Sequence, residues 1–343
     1  DVFFGRYATL VTGYPEAQSS RDTVAIETDG INTGDLDGAA GTADAVTRAV
    51  WKYFARYVPY WLEKTGLPAN SALALQTAKG IDGLRADFGQ GMPPQFWEYT
   101  INVARAHKWN FVFMTESLDG GAVTYRSNRH FDILNENIVF PWQSASNTTG
   151  HRDIFEGRRS SYGQGLVLLN NTSHDEAGYA DPWEAFIRYA VGSTNDGAPM
   201  VMYGQEIGTS NANSFTHYET NFGKNIPHFK RFNSMQPQWT AWANDGFGVS
   251  HLRPAYSGVG KAREFSPALR SSNRWFLNPI GTTTADAEIF AVAKYESSGS
   301  SPVTSDVVLA FQNLSRNTTQ ANTFGIPDVL ANNMGLKSGR RYN

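Results

Sequence analysis

Short apolar strands that alternate with helical segments between residues 81 and 203 restrict the fold of this chain more than any other sequence feature. Strands are predicted at residues 81–88, 109–115, 131–134, 166–170 and 199–203, and helices at 93–107 and 182–191. The strands are apolar throughout, which is typical of strands whose two faces are both covered. Helices that follow such strands after short connections indicate βαβ units and a parallel sheet.

The regions around this alternation have different patterns. An earlier helix is predicted from Thr42 to Gly66, because apolar residues recur there at spacings of three and four, including Val46, Val50, Tyr53, Phe54, Val58 and Trp61. Residues 142–165 are predicted to be rich in turns. Residues 288–295 and 306–313 read as antiparallel strands around a Ser/Gly/Pro loop, which indicates a separate β-domain.

The composition excludes several classes of protein. With 41% apolar and 18% charged residues, the 343-residue chain can build a sizeable core and is unlike a disordered tail. Its net charge of −3 gives no general attraction for nucleic acid or an anionic membrane, and no apolar run has the length that a membrane span needs. The absence of cysteine excludes disulfides and thiolate chemistry. The length suits about two domains or one elaborate α/β barrel.

Acidic residues follow three of the predicted strands. Asp87 ends the strand that contains Arg85, Glu116 follows the next strand, and His174-Asp175 follows the strand at 166–170. The carboxyl ends of the strands in a parallel barrel face one open mouth, where catalytic groups cluster. A single such acid is usually a cap or loop residue, but three in succession favour a shared site. Arg85 points to the same face as Asp87, where its charge would keep Asp87 ionised.

Five segments between residues 33 and 206 carry a family resemblance. They are Thr33-Gly34-Asp35-Leu36-Asp37, Gly83-Leu84-Arg85-Ala86-Asp87, Glu116, His174-Asp175 and Gly197-Ala198-Pro199-Met200-Val201-Met202-Tyr203-Gly204-Gln205-Glu206. Each segment alone is a weak signal, but together they occur in one specific order. In these segments the sequence resembles the α-amylase family of glycoside hydrolases.

The resemblance implies an α/β fold: a partial (β/α)8 barrel with strands four to eight, followed by the start of an antiparallel β-sandwich. Residues 1–40 would be the remnant of the loop domain inserted after strand three, 41–282 the carboxyl-terminal part of the catalytic barrel, and 283–343 a truncated all-β domain. Strands one to three and the family's Asp-x-x-x-Asn-His segment would then be missing. A barrel without them would expose two long parallel edges.

The resemblance also implies the chemistry of a retaining glycosidase. Asp87 would be the nucleophile and Glu116 the general acid and base. Glu116 follows an apolar strand, which would favour its protonated form. Asp175 would be the third carboxylate, holding sugar hydroxyls, and Arg85 and His174 would bind the same sugar.

Aromatic residues are further candidates for sugar binding. The chain has 9 Trp, 15 Tyr and 21 Phe residues, most of which we expect in the core. Tyr125, Trp142 and Trp183 lie in or near loops that follow predicted strands. We expect these rings to be the ones that stack on a substrate.

A structural calcium ion is implied by the family, with Asp35 as its ligand. The family's partner Asn does not occur in this chain, and an acidic loop residue such as Asp35 is more often a turn former. The residues after Asp87, Phe88-Gly89-Gln90, also differ from the family's frequent Lys-His ending. This difference leaves the bond specificity open. The family further implies secretion, and we expect a monomer.

Three classes of function stay open at this point. The first is a retaining hydrolase of α-1,4-linked glucose polymers such as starch or maltooligosaccharides, and a transglycosylase would share every catalytic group with it. The second is a non-catalytic glucan-binding barrel, in which loss of a carboxylate is expected, whereas all three are present here. The third is an unrelated phosphate-binding barrel, which predicts a glycine-rich loop where this chain has the polar residues 170–176.

Overall fold

A computed structural model of the chain divides it into two compact units. Unit 1 consists of residues 1–136 and 161–166, and unit 2 of residues 137–160 and 167–343. The structure describes residues 45–67, 79–89, 92, 94–116, 131–135, 138–161, 165–173, 181–202, 204–208, 240, 243–245, 248–281, 288–299, 302, 305–315 and 317–342. The domain boundaries inferred from the sequence, at residues 40 and 282, stay predictions.

Unit 1 contains parallel strands between helices. Its helices are α1 (Ala45–Ala55), α2 (Tyr57–Lys64) and α3 (Pro94–His107), and its strands are β1 (Gly83–Ala86), β2 (Val112–Glu116) and β3 (Ile133–Asn135). The strands β1, β2 and β3 pair in parallel in that order. The predicted helix at 93–107 and the predicted strands are therefore confirmed, with shorter strands than the sequence suggested.

The first predicted helix is in fact two helices that meet at Arg56. The buried stripe consists of Trp51, Ala55, Val58 and Leu62, whereas Tyr53 and Trp61 of the predicted apolar stripe are exposed. Trp51 packs edge-on against Phe96 of α3 with ring centroids 5.7 Å apart. Recurring aromatic residues therefore predicted a helix here, but they did not identify which face it buries.

Two buried cations fix the amino ends of the strands in unit 1. Arg105 Nη2 donates to Asp132 Oδ2 at 2.9 Å, and Lys108 Nζ donates to Asp82 Oδ1 at 2.7 Å. Asp82 and Asp132 directly precede β1 and β3. Removing one partner of such a pair leaves a buried charge uncompensated, so these pairs hold α3 against the sheet.

Unit 2 carries parallel strands followed by an antiparallel sheet. Its elements are α4 (Val139–Ser144), α5 (Thr148–Ser161), β4 (Leu166–Asn170), α6 (Pro182–Ser193), β5 (Ala198–Met200), α7 (Val249–Phe265), α8 (Pro267–Arg270), β6 (Arg274–Phe276), β7 (Ile289–Tyr295), β8 (Val307–Asn313) and α9 (Asp328–Met334). The strands β4 and β5 pair in parallel, and β6, β7 and β8 form an antiparallel sheet in that order. Both predicted arrangements are confirmed.

The prediction of turns at residues 142–165 is wrong for most of that stretch. Residues 148–161 form the helix α5, which buries Thr148, His151 and Phe155 on one narrow side. The rest of α5 is polar, so its apolar periodicity is too weak to indicate a helix from the sequence. Packing against the rest of unit 2 stabilises it instead.

Polar contacts join α5 to the antiparallel sheet. Thr148 Oγ1 donates to the carbonyl of Ile289 at 3.1 Å, and Arg274 Nη2 donates to the carbonyl of Phe155 at 3.2 Å. Arg152 Nη1 donates to Asn278 Oδ1 at 2.6 Å. The antiparallel sheet and the helices that accompany β4 and β5 therefore belong to one compact unit.

Arg263 on α7 holds the connection between α6 and β5. Its Nη1 donates to the carbonyls of Ser193, Asn195 and Leu269, and its Nη2 to that of Gly197, at 2.7–2.9 Å. These bonds satisfy carbonyl groups that the end of a helix leaves without partners. The helix α7 has 17 residues, and no helix in the described part of the chain could span a membrane.

His151 is buried in a network that keeps it neutral. Its Nδ1 lies 2.8 Å from the carbonyl of Asn147, to which it must donate, so Nε2 accepts from Arg188 Nη1 at 3.1 Å. Burial, and to a lesser degree the charge of Arg188, lowers the pKa of His151 from 6.5 to about 4. Protonation would place a second cation beside a buried guanidinium.

We expect the free energy of unfolding to decrease as the pH falls from 6.5 to 4, by on the order of 3 kcal/mol from this residue. The unfolded chain binds the proton below pH 6.5, whereas the folded chain binds it only near pH 4. Urea unfolding at several pH values measures how steeply the free energy of unfolding depends on pH, which is the slope compared here. His151→Gln should remove much of it, and His251→Gln at an exposed position should not. Equal slopes in the two variants would contradict this role.

Candidate active site

The pairing of β1 with β2 brings three of the predicted site residues together. Ala86 is in register with Thr115, so Asp87 and Glu116 follow side by side at the carboxyl ends of the two strands. Arg85 lies two residues before Asp87 and therefore projects to the same face of the sheet. The local sequence accounts for the position of the two acids, because each of them stands at the carboxyl end of a short strand.

Arg85 bridges the two carboxylates. Its Nη1 donates to Asp87 Oδ1 at 2.7 Å, and its Nη2 lies 3.2 Å from Glu116 Oε2. The sequence predicted the contact to Asp87 but not the contact to Glu116. Because the terminal nitrogens of a guanidinium are adjacent and rigidly placed, the two bound oxygens are held around the same group.

The two carboxylates differ in exposure and in hydrogen bonding. The side chain of Asp87 is 77% exposed and that of Glu116 is 15% exposed. Glu116 Oε2 also accepts from the backbone N–H of Phe88 at 3.0 Å, while within the described residues Oε1 accepts no hydrogen bond. The pair thus combines an accessible carboxylate with a sheltered one, an asymmetry that suits different chemical roles for the two groups.

The turn after β1 is held against the end of β2. Phe88 has a φ of 48°, a left-handed conformation that costs about 1–2 kcal/mol for a side chain of this kind. Trp97 Nε1 donates to the carbonyl of Gly89 at 2.8 Å and so fixes this turn from α3. The contacts of Trp97 and of the Phe88 N–H were not predictable from the sequence, because neither a contact across eight residues nor a backbone donor forms a recognisable motif.

A cavity of about 330 Å³ lies between β1 and the helices of unit 1. Its walls are mostly apolar and include Tyr57, Met92 and Trp97, and Arg85 and Asp87 reach its edge. An apolar surface beside a few charged groups is the usual composition of a small-molecule site. No sequence pattern predicted Tyr57 or Met92 at this place.

The prediction that Trp142 stacks on a substrate is wrong. Its side chain has no exposed surface, and its ring packs edge-on against Phe155 with centroids 5.5 Å apart. A Cβ at Gly192 of α6 would come within 2.5 Å of the same ring. A ring enclosed in this way cannot stack on a substrate, so we assign Trp142 to the core of unit 2. The position after a strand misled the prediction, because the chain continues there into the helix α4.

Four further predicted site residues, Asp35, Tyr125, His174 and Asp175, lie outside the described residues. Their roles in metal and sugar binding stay predictions. Within the described ranges, no three His, Asp or Glu side chains are grouped so that they could hold a metal ion. The two acids at the ends of β1 and β2, Asp87 and Glu116, are instead paired with Arg85.

We expect Gly89→Ala to lower the free energy of unfolding by about 1–3 kcal/mol through overpacking. A Cβ at Gly89 would lie 1.9 Å from Thr115 Oγ1 and 3.2 Å from the carbonyl of Glu116, so the turn would have to move away from β2. Urea unfolding provides the measurement. Gly258→Ala is the control, because nothing lies within 4 Å of that position in α7 and a helical alanine is stabilising. Equal effects would show that the turn is not tightly packed.

Comparisons with known proteins agree with this architecture. No family model and no curated protein sequence matches the chain. Among solved structures, cyclic α-maltosyl-(1→6)-maltose hydrolase from Arthrobacter globiformis matches with 17% identity and a TM-score of 0.50, over 73% of this chain and 50% of that one. A cyclomaltodextrinase matches with 18% identity and a TM-score of 0.53, over 77% of this chain and 40% of that one.

An α-amylase from H. orenii is also similar, with 15% identity and a TM-score of 0.55 over 79% of this chain and 56% of that one. The chain thus spans about half the length of these proteins. Structural similarity at 15–18% sequence identity shows a shared fold. Together with the parallel and antiparallel strands, it confirms the predicted fold class: the chain has the fold of part of an α-amylase-type (β/α)8 barrel followed by an antiparallel β-sheet.

Proposed function

We propose that the protein is a retaining glycoside hydrolase that cleaves α-1,4-glucosidic bonds in starch-like α-glucans or maltooligosaccharides. The observation that carries this proposal is the contact of one guanidinium, that of Arg85, with both Asp87 and Glu116. A retaining glycosidase needs two carboxyl groups about 5–5.5 Å apart, one as nucleophile and one as acid and base. The three similar structures are named as enzymes of α-linked glucose compounds, which supports the substrate class.

In the first step, an oxygen of Asp87 attacks the anomeric carbon while the bond to the leaving oxygen breaks. The leaving oxygen takes a proton from Glu116, and a covalent glycosyl–Asp87 intermediate forms. We expect Oε1 of Glu116 to carry the proton, because Oε2 accepts from Phe88 and lies against Arg85. The exposure of Asp87 leaves it accessible to the sugar.

In the second step, water attacks the same carbon from the side of the departed group. Glu116 takes the proton of that water, and the bond to Asp87 breaks, which restores both carboxyl groups. Arg85 binds Asp87 whenever it is ionised and keeps it beside Glu116. Asp175, His174 and Tyr125 would contribute to sugar binding as the sequence predicts.

We expect Asp87→Asn to lower kcat on maltoheptaose by roughly 10³-fold or more, because an amide cannot act as the nucleophile. Reducing-end release measures the rate, and calorimetric titration measures binding, which should persist. Asp153→Asn, at an exposed position of α5, is the control and should retain the parent rate. Substantial turnover by Asp87→Asn would remove this assignment.

The stereochemistry of the product is a separate prediction. Double displacement inverts the anomeric carbon twice, so the first product released from an α-glucan should be the α-anomer. Proton NMR during the first minutes of reaction distinguishes it from the β-anomer before mutarotation. Initial release of the β-anomer would contradict a covalent intermediate on Asp87 while leaving hydrolysis itself established.

A further inference from the structure

A cavity of about 610 Å³ in unit 2 includes neither Asp87 nor Glu116. It lies between the start of α6, the residues before α5 and the end of β8. Its volume is within the range of ligand-binding pockets. The groups that define its chemistry are Ser146, Asp181, Trp183, Glu184, Ile187 and Leu314.

Trp183 presents an aromatic ring to this cavity. Trp183 lies in the first turn of α6 and is 40% exposed. Phe186 packs edge-on against it, with centroids 5.8 Å apart and an interplanar angle of 85°. The ring is therefore held in one orientation while much of its surface stays in contact with solvent. A ring of this kind can bury the apolar face of a ligand.

The charges around the cavity disfavour an anionic ligand. Arg188 donates to the carbonyl of Ala145 at 2.8 Å and lies 3.1 Å from Glu184 Oε1, so its charge is engaged within the wall. Asp181 accepts the N–H of Trp183 at 2.8 Å and occupies the start of α6. Asp181 and Glu184 add two carboxylates to the lining of the cavity, and carboxylate oxygens are acceptors for hydroxyl groups.

We propose that this cavity is a second glucan-binding site, which takes a neutral segment of an α-glucan chain. One glucose ring stacks on Trp183, and its hydroxyl groups donate to Asp181 and Glu184. Ile187 and Leu314 supply apolar surface for the C–H groups of the same segment. A polyhydroxylated ring with an apolar face suits both an aromatic wall and a carboxylate rim. The choice of an α-glucan rests on the proposed function.

The test is calorimetric titration of maltoheptaose into the full chain carrying Asp87→Asn, in which hydrolysis is blocked. We expect Trp183→Ala in this background to remove one binding event or to weaken it at least tenfold, and Trp183→Phe to retain most of it. Ser146→Trp, at an exposed position, should block the cavity with Trp183 unchanged. Trp275→Ala is the matched control, because Trp275 is 37% exposed and does not line the cavity.

The possible outcomes separate this proposal from the proposed function. Unchanged binding in both Trp183→Ala and Ser146→Trp would overturn the second site, even if the parent chain cleaves maltoheptaose. An equal loss in Trp275→Ala, or equal affinity for cellopentaose, would overturn the site or its α-glucan class. Binding that depends on Trp183, together with a parent chain that does not hydrolyse maltoheptaose, would support the second site and overturn the proposed function alone.

Discussion

The candidate active site depends on the contacts of the Arg85 guanidinium with two carboxylates. The guanidinium binds Asp87, which directly follows β1, and Glu116 at the end of the neighbouring strand β2. The two acids are adjacent because β1 and β2 pair in register, and Arg85 holds both side chains around one cation. Without a cation between them, two carboxylates at adjacent strand ends would repel each other. The same contact that balances their charges therefore also sets the geometry on which the proposed chemistry relies.

Charged residues have opposite roles at the two ends of this sheet. At the amino ends, Asp82 is paired with Lys108, a cation without exposed surface, and the pair anchors α3. At the carboxyl ends, Asp87 stays accessible although it is also paired. Pairing alone thus does not distinguish an acid that anchors a helix from one that belongs to the candidate active site. Both acids are largely exposed, Asp82 at 90% and Asp87 at 77%, so they differ in their position relative to the strand direction and not in the access of solvent.

The sequence was sufficient to predict an element or a site residue where one local pattern determined it. It was insufficient where packing against distant residues determined the structure. Apolar strands followed by an acid located Asp87 and Glu116, because strand pairing needs only those local runs. The same rule failed for Trp142, since a ring that follows a strand can turn into the core as well as toward a ligand. It also failed for α5, whose helical form depends on residues more than a hundred positions away, such as Ile289.

The contacts of Arg263 have a consequence for the order of folding. The carbonyls of Ser193, Asn195 and Gly197 are bound by a side chain about seventy residues later in the chain. Local hydrogen bonds close the end of α6, but these three carbonyls of the connection to β5 gain this donor only through a long-range contact. These bonds form only after α7 has been synthesised and has docked, so Arg263 makes this connection depend on a segment that leaves the ribosome much later.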